Sequence, residues 1–507
     1  MKMSIRESIK KLSKDRARAA GRIFAAAALL AGCTVGPNYH RPTAPVPALW
    51  DVQDPWRESA PKDLLPKGEW WTVFHDEELS SLEKQALEAN QTIKISVARL
   101  EQARATAAIQ IATLFPVVGL APGTTPTIER QRLSGNRPTA GVPVGGPVSQ
   151  SSVTLPFTVS YELDLFGRRR RSIQSAQAAY QSSAAALENV RLVITAELAG
   201  DYFSLRQLDS EIGILNRTVQ SLQKGFELVN SRHEGGVASG LDVAEEETLL
   251  RNTETQALLR LQQRKQFEDA IAVLTGRPAP EFHLPLNELK AATPPPLNAG
   301  LPSDLLERRP DIAEAERQMA AANAQIGVAK AAYYPSIELF GNAGWQSADI
   351  AKLANLSSIF WAVGANVAES IFTGGARHAQ VQYAQAGFDA NVASYRGTVL
   401  DAFREVQDDL TALTVFMQAQ ESQQRSVDAA RRALDISTNR YSGGLVSYLD
   451  VVTAQQNLLN NEQQMVTIQG QRLITSVLLV KALGGGWDAT SIATVQVKPK
   501  LKDIVAP

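Results

Sequence analysis

Two segments of the chain are written twice. RHEGGVASGLDV at 232–243 and RYSGGLVSYLDV at 440–451 align at an offset of 440 − 232 = 208. At that offset Glu197 meets Glu405 and Asp201 meets Asp409. Upstream, DLFG at 164–167 matches SIFTGG at 370–375 with two extra residues. LEANQTI…ATLFP at 87–116 lies over LERRPDI…AAYYP at 306–335 at an offset of 219. A duplicated unit constrains the fold more than composition does, because both copies must satisfy one pattern. Each copy reads as helix, strand pair, long helix, Gly-Gly turn, long helix.

Proline placement agrees with that order. No proline occurs from 157 to 277 or from 336 to 498, whereas 37–66 and 279–302 are proline-rich connectors. Uninterrupted helices require such gaps, since proline removes an amide donor and clashes with the preceding turn. Within the first gap Leu205, Leu208, Ile212, Leu215, Val219, Leu222, Phe226 and Val229 alternate in steps of three and four. Val452, Leu459, Val466, Leu473 and Val480 recur every seven residues in the second. These are 3.5-residue periods, the pattern of left-handed coiled-coil packing. The stripes are narrow and flanked by Gln, Ser and Arg, which predicts thin helix pairs wetted on more than one side. A helix from Arg168 to Asn230 would be about 95 Å long, several times the diameter of a compact domain. The return helix is expected over roughly 241–275.

The net charge of −1, from 51 basic and 52 acidic residues, excludes the basic field that nucleic-acid binding needs. The single cysteine, Cys33, excludes an intrachain disulfide, a zinc ribbon or a redox pair. Lys2, Arg6, Lys10, Lys11, Lys14, Arg16, Arg18 and Arg22 precede the apolar run IFAAAALLAGC, which has signal-peptide length and is too short to span a bilayer. Its end, Leu30-Ala31-Gly32-Cys33, resembles the lipobox of bacterial lipoproteins. That resemblance implies cleavage before Cys33 and acylation of it, and Thr34 in place of aspartate is compatible with transfer to the outer membrane. No other stretch approaches the 18 apolar residues of a transmembrane helix, so any crossing must use strands.

Strands of the right kind are present. From Val153 to Leu165 apolar and polar residues alternate, and the second copy has SIELFGNAGWQ at 336–346 and SSIFWAVGANVAESIF at 357–372. Ile359, Trp361, Val363, Ala365, Val367 and Ile371 are expected on one face, with Glu369 interrupting it. The partner of 153–165, about 117–131, alternates poorly and contains Pro122 and Pro126. Val153, Leu155, Phe157, Val159 and Tyr161 should face lipid, and Thr154, Thr158 and Ser160 a wet lumen. Pro156 forfeits a ladder hydrogen bond, which predicts a bulge. Four arginines at 168–171 oppose the dipole of the helix they begin, with lipid headgroups the expected compensation. Four strands cannot close a barrel, whose smallest ordinary form has about eight, so several chains must share one. A soluble sandwich would also alternate, but not with strands joined only through long helices.

With CTVGPNYHRP (33–42), YELDLFGRRRR (161–171), RRPDIAEAERQMAAANAQIGVAKAAYYPSIELFG (308–341), SIFTGGAR (370–377) and both Gly-Gly turns, the chain resembles the outer-membrane efflux protein family. These are the TolC-like channels, and the match is to their lipoprotein, NodT-type branch. The resemblance implies a mainly helical fold with a membrane β part, built from two tandem repeats of helix, β-hairpin and long helical hairpin. It implies a homotrimer with a 12-stranded barrel continued by a periplasmic helical barrel. Such a trimer would be the passive exit duct of a tripartite pump, with a periplasmic adaptor and an RND-type inner-membrane transporter as partners and no cofactor. The expected organisation is a signal peptide over 1–32, an extended segment over 33–75, the first repeat over 76–278, an equatorial linker over 279–302, the second repeat over 303–486 and a tail over 487–507.

In that family the hairpin tips meet the adaptor, which singles out Gly235, Gly236, Val237 and Ser239, and Gly443, Gly444, Leu445 and Ser447. In a threefold assembly Leu449 would form an apolar collar and Asp450 a carboxylate ring, the means by which pores constrict by dewetting and charge. Asp242 holds the equivalent place in the first hairpin, followed by Glu245, Glu246 and Glu247, which read as a solvated acidic face. Tyr441 keeps the counterpart of a closing residue, whereas Val446 stands where a familiar member has arginine. GxSxG, HExxH and P-loop motifs are absent, and His40, His75, His233, His283 and His378 lack metal-ligand spacing, so neither catalysis nor a metal is expected. Gly484-Gly485-Gly486 reads as a helix stop. A periplasmic adaptor lipoprotein, with one hairpin between lipoyl-like and β-barrel halves, and a pore-free coiled-coil lipoprotein are the alternatives.

Overall fold

The computed structural model describes residues 34–47, 50, 68–120, 123–129, 148–289, 305–487 and 495–497. Helices α1 (Glu77–Ala89) and α2 (Gln91–Ala112) lead to strands β1 (Val117–Leu120), β2 (Gly123–Glu129) and β3 (Val148–Leu163). The first hairpin follows as α3 (Arg168–Glu234) and α4 (Gly240–Leu274). The second copy comprises α5 (Pro310–Ala331), β4 (Ser336–Ser347), β5 (Ile359–Ala368), α6 (Ala376–Ser442) and α7 (Tyr448–Ala482). Both outgoing helices have 67 residues and both return helices 35. At 1.5 Å per residue the outgoing helices run about 100 Å.

Helix ends follow local chemistry. The Asp76 carboxylate accepts from the Leu79 amide at 3.0 Å to cap α1, and Asn90 Oδ1 accepts from Thr92 and Ile93 to cap α2. Gly484, Gly485 and Gly486 all have positive φ and end α7, as a glycine stop should. The heptad stripes are buried as expected, apart from Val219, Phe226 and Val452, which are partly covered.

The strands form one antiparallel sheet in the order β1–β3–β4–β5, with β2 continuing along β3 beyond β1. The β3–β4 pair joins the two repeats. Opposite Pro156 the register runs unbroken from Val153↔Ser347 to Leu163↔Ile337, so the predicted bulge is not there. Two features accommodate the proline. Gly344 lies across from it, where a Cβ would overlap the Leu155 carbonyl oxygen. On the other side Pro156 falls level with the break between β1 and β2. The poorly alternating 117–131 is thus two short strands, with residues 121–122, and so Pro122, outside the described set. A second correction concerns β5. Its pairing stops at Ala368, so Glu369 and Ile371 lie beyond the strand, although the alternation runs on.

The arginine run at the start of α3 is a third correction. Asp164 accepts from the amides of Arg169 and Arg170 and pairs with the Arg170 side chain at 3.2 Å, while Arg169 pairs with Glu162 at 2.6 Å. Arg171 is buried and donates to the carbonyls of Val35 and Gly36 and to Asn38 Oδ1. Acidic side chains and the N-terminal segment thus supply the compensation assigned to headgroups, and Arg168 alone of the four stays exposed. From this joint the N-terminal segment descends the helices. Gly36 approaches so close to Gly327 of α5 that a Cβ would stand 2.5 Å from its Cα. Further down Tyr39 donates to Glu316 and Arg41 to Tyr395, and Trp50 packs edge-on against Phe403. The largest apolar core gathers where α1, α3, α5, α6 and α7 meet, around Trp70, Trp71, Leu79, Tyr202, Met319 and Tyr395.

Candidate functional site: the hairpin tips

Both tips end in the same turn. Gly236 and Gly444 take φ of 74° and 72°, a left-handed conformation glycine adopts without a Cβ penalty. The amides of Val237 and Leu445 then reach back to the carbonyls of Arg232 and Arg440, at 2.8 and 2.9 Å. Val237 and Leu445, equivalent at the 208-residue offset, are 80% and 72% exposed. Gly235, Ser239, Gly443 and Ser447 are also exposed, so every residue expected at the adaptor-facing tips lies on the surface.

The two aspartates behave differently. Asp242 closes a capping box: its amide donates to Ser239 Oγ at 3.2 Å and its carboxylate accepts from the Ser239 amide at 3.0 Å. Asp450 accepts only from the Ser447 hydroxyl, at 3.0 Å, and stays exposed beside exposed Leu449. Leu449 and Asp450 border a cavity of about 680 Å3 between α6 and α7. A second groove, of about 330 Å3, lies between α4 and α7 and is lined by Leu241, Ala244, Glu245, Thr248, Val452 and Gln456. Tyr441 is half-buried under the Arg232 guanidinium, 5.6 Å from its ring centre, and meets Tyr448 edge-on at 4.9 Å.

The three glutamates after Asp242 do not form one solvated face. Glu247 pairs loosely with Arg251 at the surface, but Glu246 is fully buried between the hairpins. It shares a helical face with Leu249, Leu250 and Thr253, all buried, because residues three, four and seven apart align on a helix. That spacing was legible, and the lesson is that seam position outranks residue type. Tyr448 and Arg232 carried no comparable signal. Far from the tips, the repeat-matched Asp201 and Asp409 are pushed up to about 6 and about 7, by burial first and by the neighbouring Glu197 and Glu405 second. Among the described residues no group of three or more His, Cys, Asp or Glu side chains could hold a metal, and no helix is long and apolar enough to cross a membrane. Cys33 lies outside the described residues.

A short antiparallel sheet is continued by two helical hairpins whose outgoing helices run about 100 Å, the architecture of an outer-membrane channel chain. The OprN outer-membrane channel has the same fold, with a TM-score of 0.81 at 28% identity over 90% of this chain and 100% of that one. The Outer membrane efflux protein family model matches residues 82–277 and 301–485. The chain is 34% identical over 461 residues to the probable efflux pump outer membrane protein TtgC of Pseudomonas putida, covering 90% of this chain and 94% of that protein. It is 32% identical over 463 residues to outer membrane protein OprJ of Pseudomonas aeruginosa, covering 90% and 94%. The chain belongs to the outer membrane efflux protein family.

Proposed function

We propose that this protein is the exit duct of a tripartite efflux pump, a homotrimer whose strands close a 12-stranded barrel in the outer membrane and whose helices continue it into the periplasm. The observation that carries this reading is that, among the described residues, the sheet has an unpaired edge on each side, at β1/β2 and at β5. In a bilayer an open edge leaves backbone groups without partners, and three copies joined edge to edge remove every edge. The outward face of β5 fits lipid, with Trp361 and Val363 76% and 79% exposed. Thr34 packs on Gly167 at the foot of the sheet, so an acyl chain on the preceding Cys33 would start at the membrane rim.

The tips face the opposite end, where exposed Val237 and Leu445 with their Gly-Gly turns would meet a periplasmic adaptor that links the duct to an RND-type inner-membrane transporter. Leu449 and Asp450 form the narrowest ring, with Tyr441 and Asp242 in the same layer. A free carboxylate ring favours cations. The test combines trimer migration on unheated gels with single-channel recording of the wild type and Asp450→Ala. A conducting trimer with altered conductance and weaker cation preference in the variant is expected. Monomers without conductance would overturn the duct, and unchanged selectivity in Asp450→Ala would remove Asp450 from the constriction.

A further inference from the structure

The two hairpins meet at the tip around an acid that has no charge partner. Glu246 of α4 is fully buried, and no hydrogen bond of regular geometry reaches either carboxyl oxygen, although the Tyr448 hydroxyl is near enough to act on it. Three helices converge on it. A Cβ on Gly225 of α3 would overlap Glu246 Oε1 and stand 3.5 Å from the Tyr448 hydroxyl of α7, so the missing side chain is what makes room for the acid. Tyr448 is buried too, and its ring lies against Tyr441 of α6, which in turn carries the Arg232 guanidinium of α3. Arg232, Glu246, Tyr441 and Tyr448 thus give each of the four tip helices one side chain in a single cluster.

The surroundings favour the neutral acid. Burial raises the Glu246 carboxyl to about 7, the Tyr448 hydroxyl pulls the other way, and no cation on α3, α6 or α7 helps to lower it. The α3 backbone at Gly225 faces the acid with no charge, and Tyr441 reaches it only through Tyr448. On α4 itself Asp242 adds negative charge, and burial, Glu246, Tyr441 and Asp242 all hold the Tyr448 phenol protonated. An ionised carboxylate kept dry here would carry a large desolvation penalty.

We propose that Glu246 and Tyr448 form a proton-dependent latch between the two hairpins, closed when Glu246 is neutral and released when it ionises. The neutral acid stays dry in the seam beside Tyr448, and α4 remains packed on α7. On losing its proton to solvent it takes up water, the α4–α7 contact loosens and the tip widens. The closed form binds the proton more tightly than an exposed glutamate does. Closure is therefore strongest at low pH and weakens as pH rises from the ordinary carboxylate range through about 7. The inference rests on the tip being the narrow end of the duct.

The test uses the full-length trimer with spin labels at Thr248→Cys and Gln456→Cys, two exposed positions across the α4–α7 groove. From pH 6 to pH 8 the ionised fraction of a group titrating near 7 rises about tenfold. The longer label separation should grow in step in the wild type and stay minor at both pH values in Glu246→Gln. Tyr448→Phe should keep the transition but move it upward, since the hydroxyl that favours the anion is gone. Asp450→Asn should leave it in place, separating the latch from the pore carboxylate. A transition that persists in Glu246→Gln, or is missing from the wild type, overturns the latch. Conductance recorded in parallel keeps the two readings apart. Labels that respond in a non-conducting protein would refute the duct alone, and a conducting protein whose labels do not respond would refute the latch alone.

Discussion

At the waist of the first repeat Asn90, the cap of α2, donates through its side-chain amide to the carbonyl of Leu274, the last residue of α4, at 2.9 Å. In the second repeat the equivalent position (90 + 219 = 309) is Arg309, which donates at 3.0 Å to the carbonyl of Ala482, the equivalent of Leu274 (274 + 208 = 482). The joint is the same, but Arg309 brings a charge and two carboxylates, Asp311 at 2.6 Å and Glu405 at 2.8 Å. Along the hairpin shafts the chemistry reverses. The first shaft buries Arg206, Asp209, Arg264 and Glu268 in one network, which also grips the linker at Leu284, Pro285 and Asn287. At the same places the second shaft has Thr414, Met417, Arg472 and Ser476, and Arg472 bonds Gln420 while its Nε finds no partner. A buried network resists sliding because each group that leaves strands a charge. The second hairpin has no acid–base pair in that layer, its ion pair Arg431–Glu462 lying nearer the tip, so its shaft is held less firmly there than the first.

Removing Asp209 should break this asymmetry with the largest effect. Asp209→Ala removes the acid that Arg206 and Arg264 share and leaves them to Glu78 and Glu268, a loss of about 1.5–3 kcal/mol, the worth of hydrogen bonds to a charged group. Met417→Ala, the matched change in the second shaft at a partly exposed site, should stay within about 0.5 kcal/mol. Urea unfolding of the two variants measures the difference. Equal losses would mean that the two shafts are anchored alike.

Much of this layout was legible because backbone rules are local. The proline-free stretches located all four long helices, with the return helix observed at 240–274 against roughly 241–275 expected. The Gly-Gly turns and the Gly484–Gly486 stop were readable for the same reason, since positive φ selects glycine. What failed depended on partners distant in sequence. Pro156 needs no bulge because Gly344 sits opposite it, and Ile371 leaves its strand although its own residue pattern continues. Asp164 and the N-terminal segment satisfy three of the four arginines from outside the helix. The Asp209 network joins residues more than fifty positions apart, and no single-segment pattern marks it.

A second buried acid without a partner makes the first repeat sensitive to pH. Among the described residues helix α1 is matched in the second copy only by the turn Leu305–Arg308 ahead of α5. It carries Glu83, which is fully buried with both oxygens unpartnered and whose carboxyl burial pushes well above the ordinary range. The folded chain therefore holds this proton more tightly than the unfolded one, so stability falls as pH rises from the ordinary carboxylate range through the raised value. Glu83→Gln mimics the protonated acid. It should match the wild type at pH 4 and exceed it by about 1–3 kcal/mol at pH 8, the usual cost of an unmatched buried polar group. Melting curves at the two pH values check this, and a variant that loses stability at pH 8 would mean that Glu83 is ionised and paired in the assembled protein.

The smallest expected difference lies at the tips, where the turns are alike and the caps are not. Ser239 accepts from the Asp242 amide and completes a capping box, while Ser447 makes no such bond to the amides of α7 and only donates to Asp450. Ser239→Ala should therefore loosen the first turn of α4 by about 1 kcal/mol, the ordinary worth of an N-cap. Ser447→Ala should change α7 by no more than a few tenths, since no amide loses its acceptor. Hydrogen exchange at the amides of Asp242 and Asp450 reads each effect separately: the first variant should speed exchange roughly fivefold and the second hardly at all. The same measurement bears on motion. The weakly capped start of α7 would then put the looser tip on the hairpin with the looser shaft, and the closed box of α4 the firmer tip on the other. Equal protection of the two helix starts in the wild type would remove that distinction and leave the buried shaft network as the sole source of asymmetry.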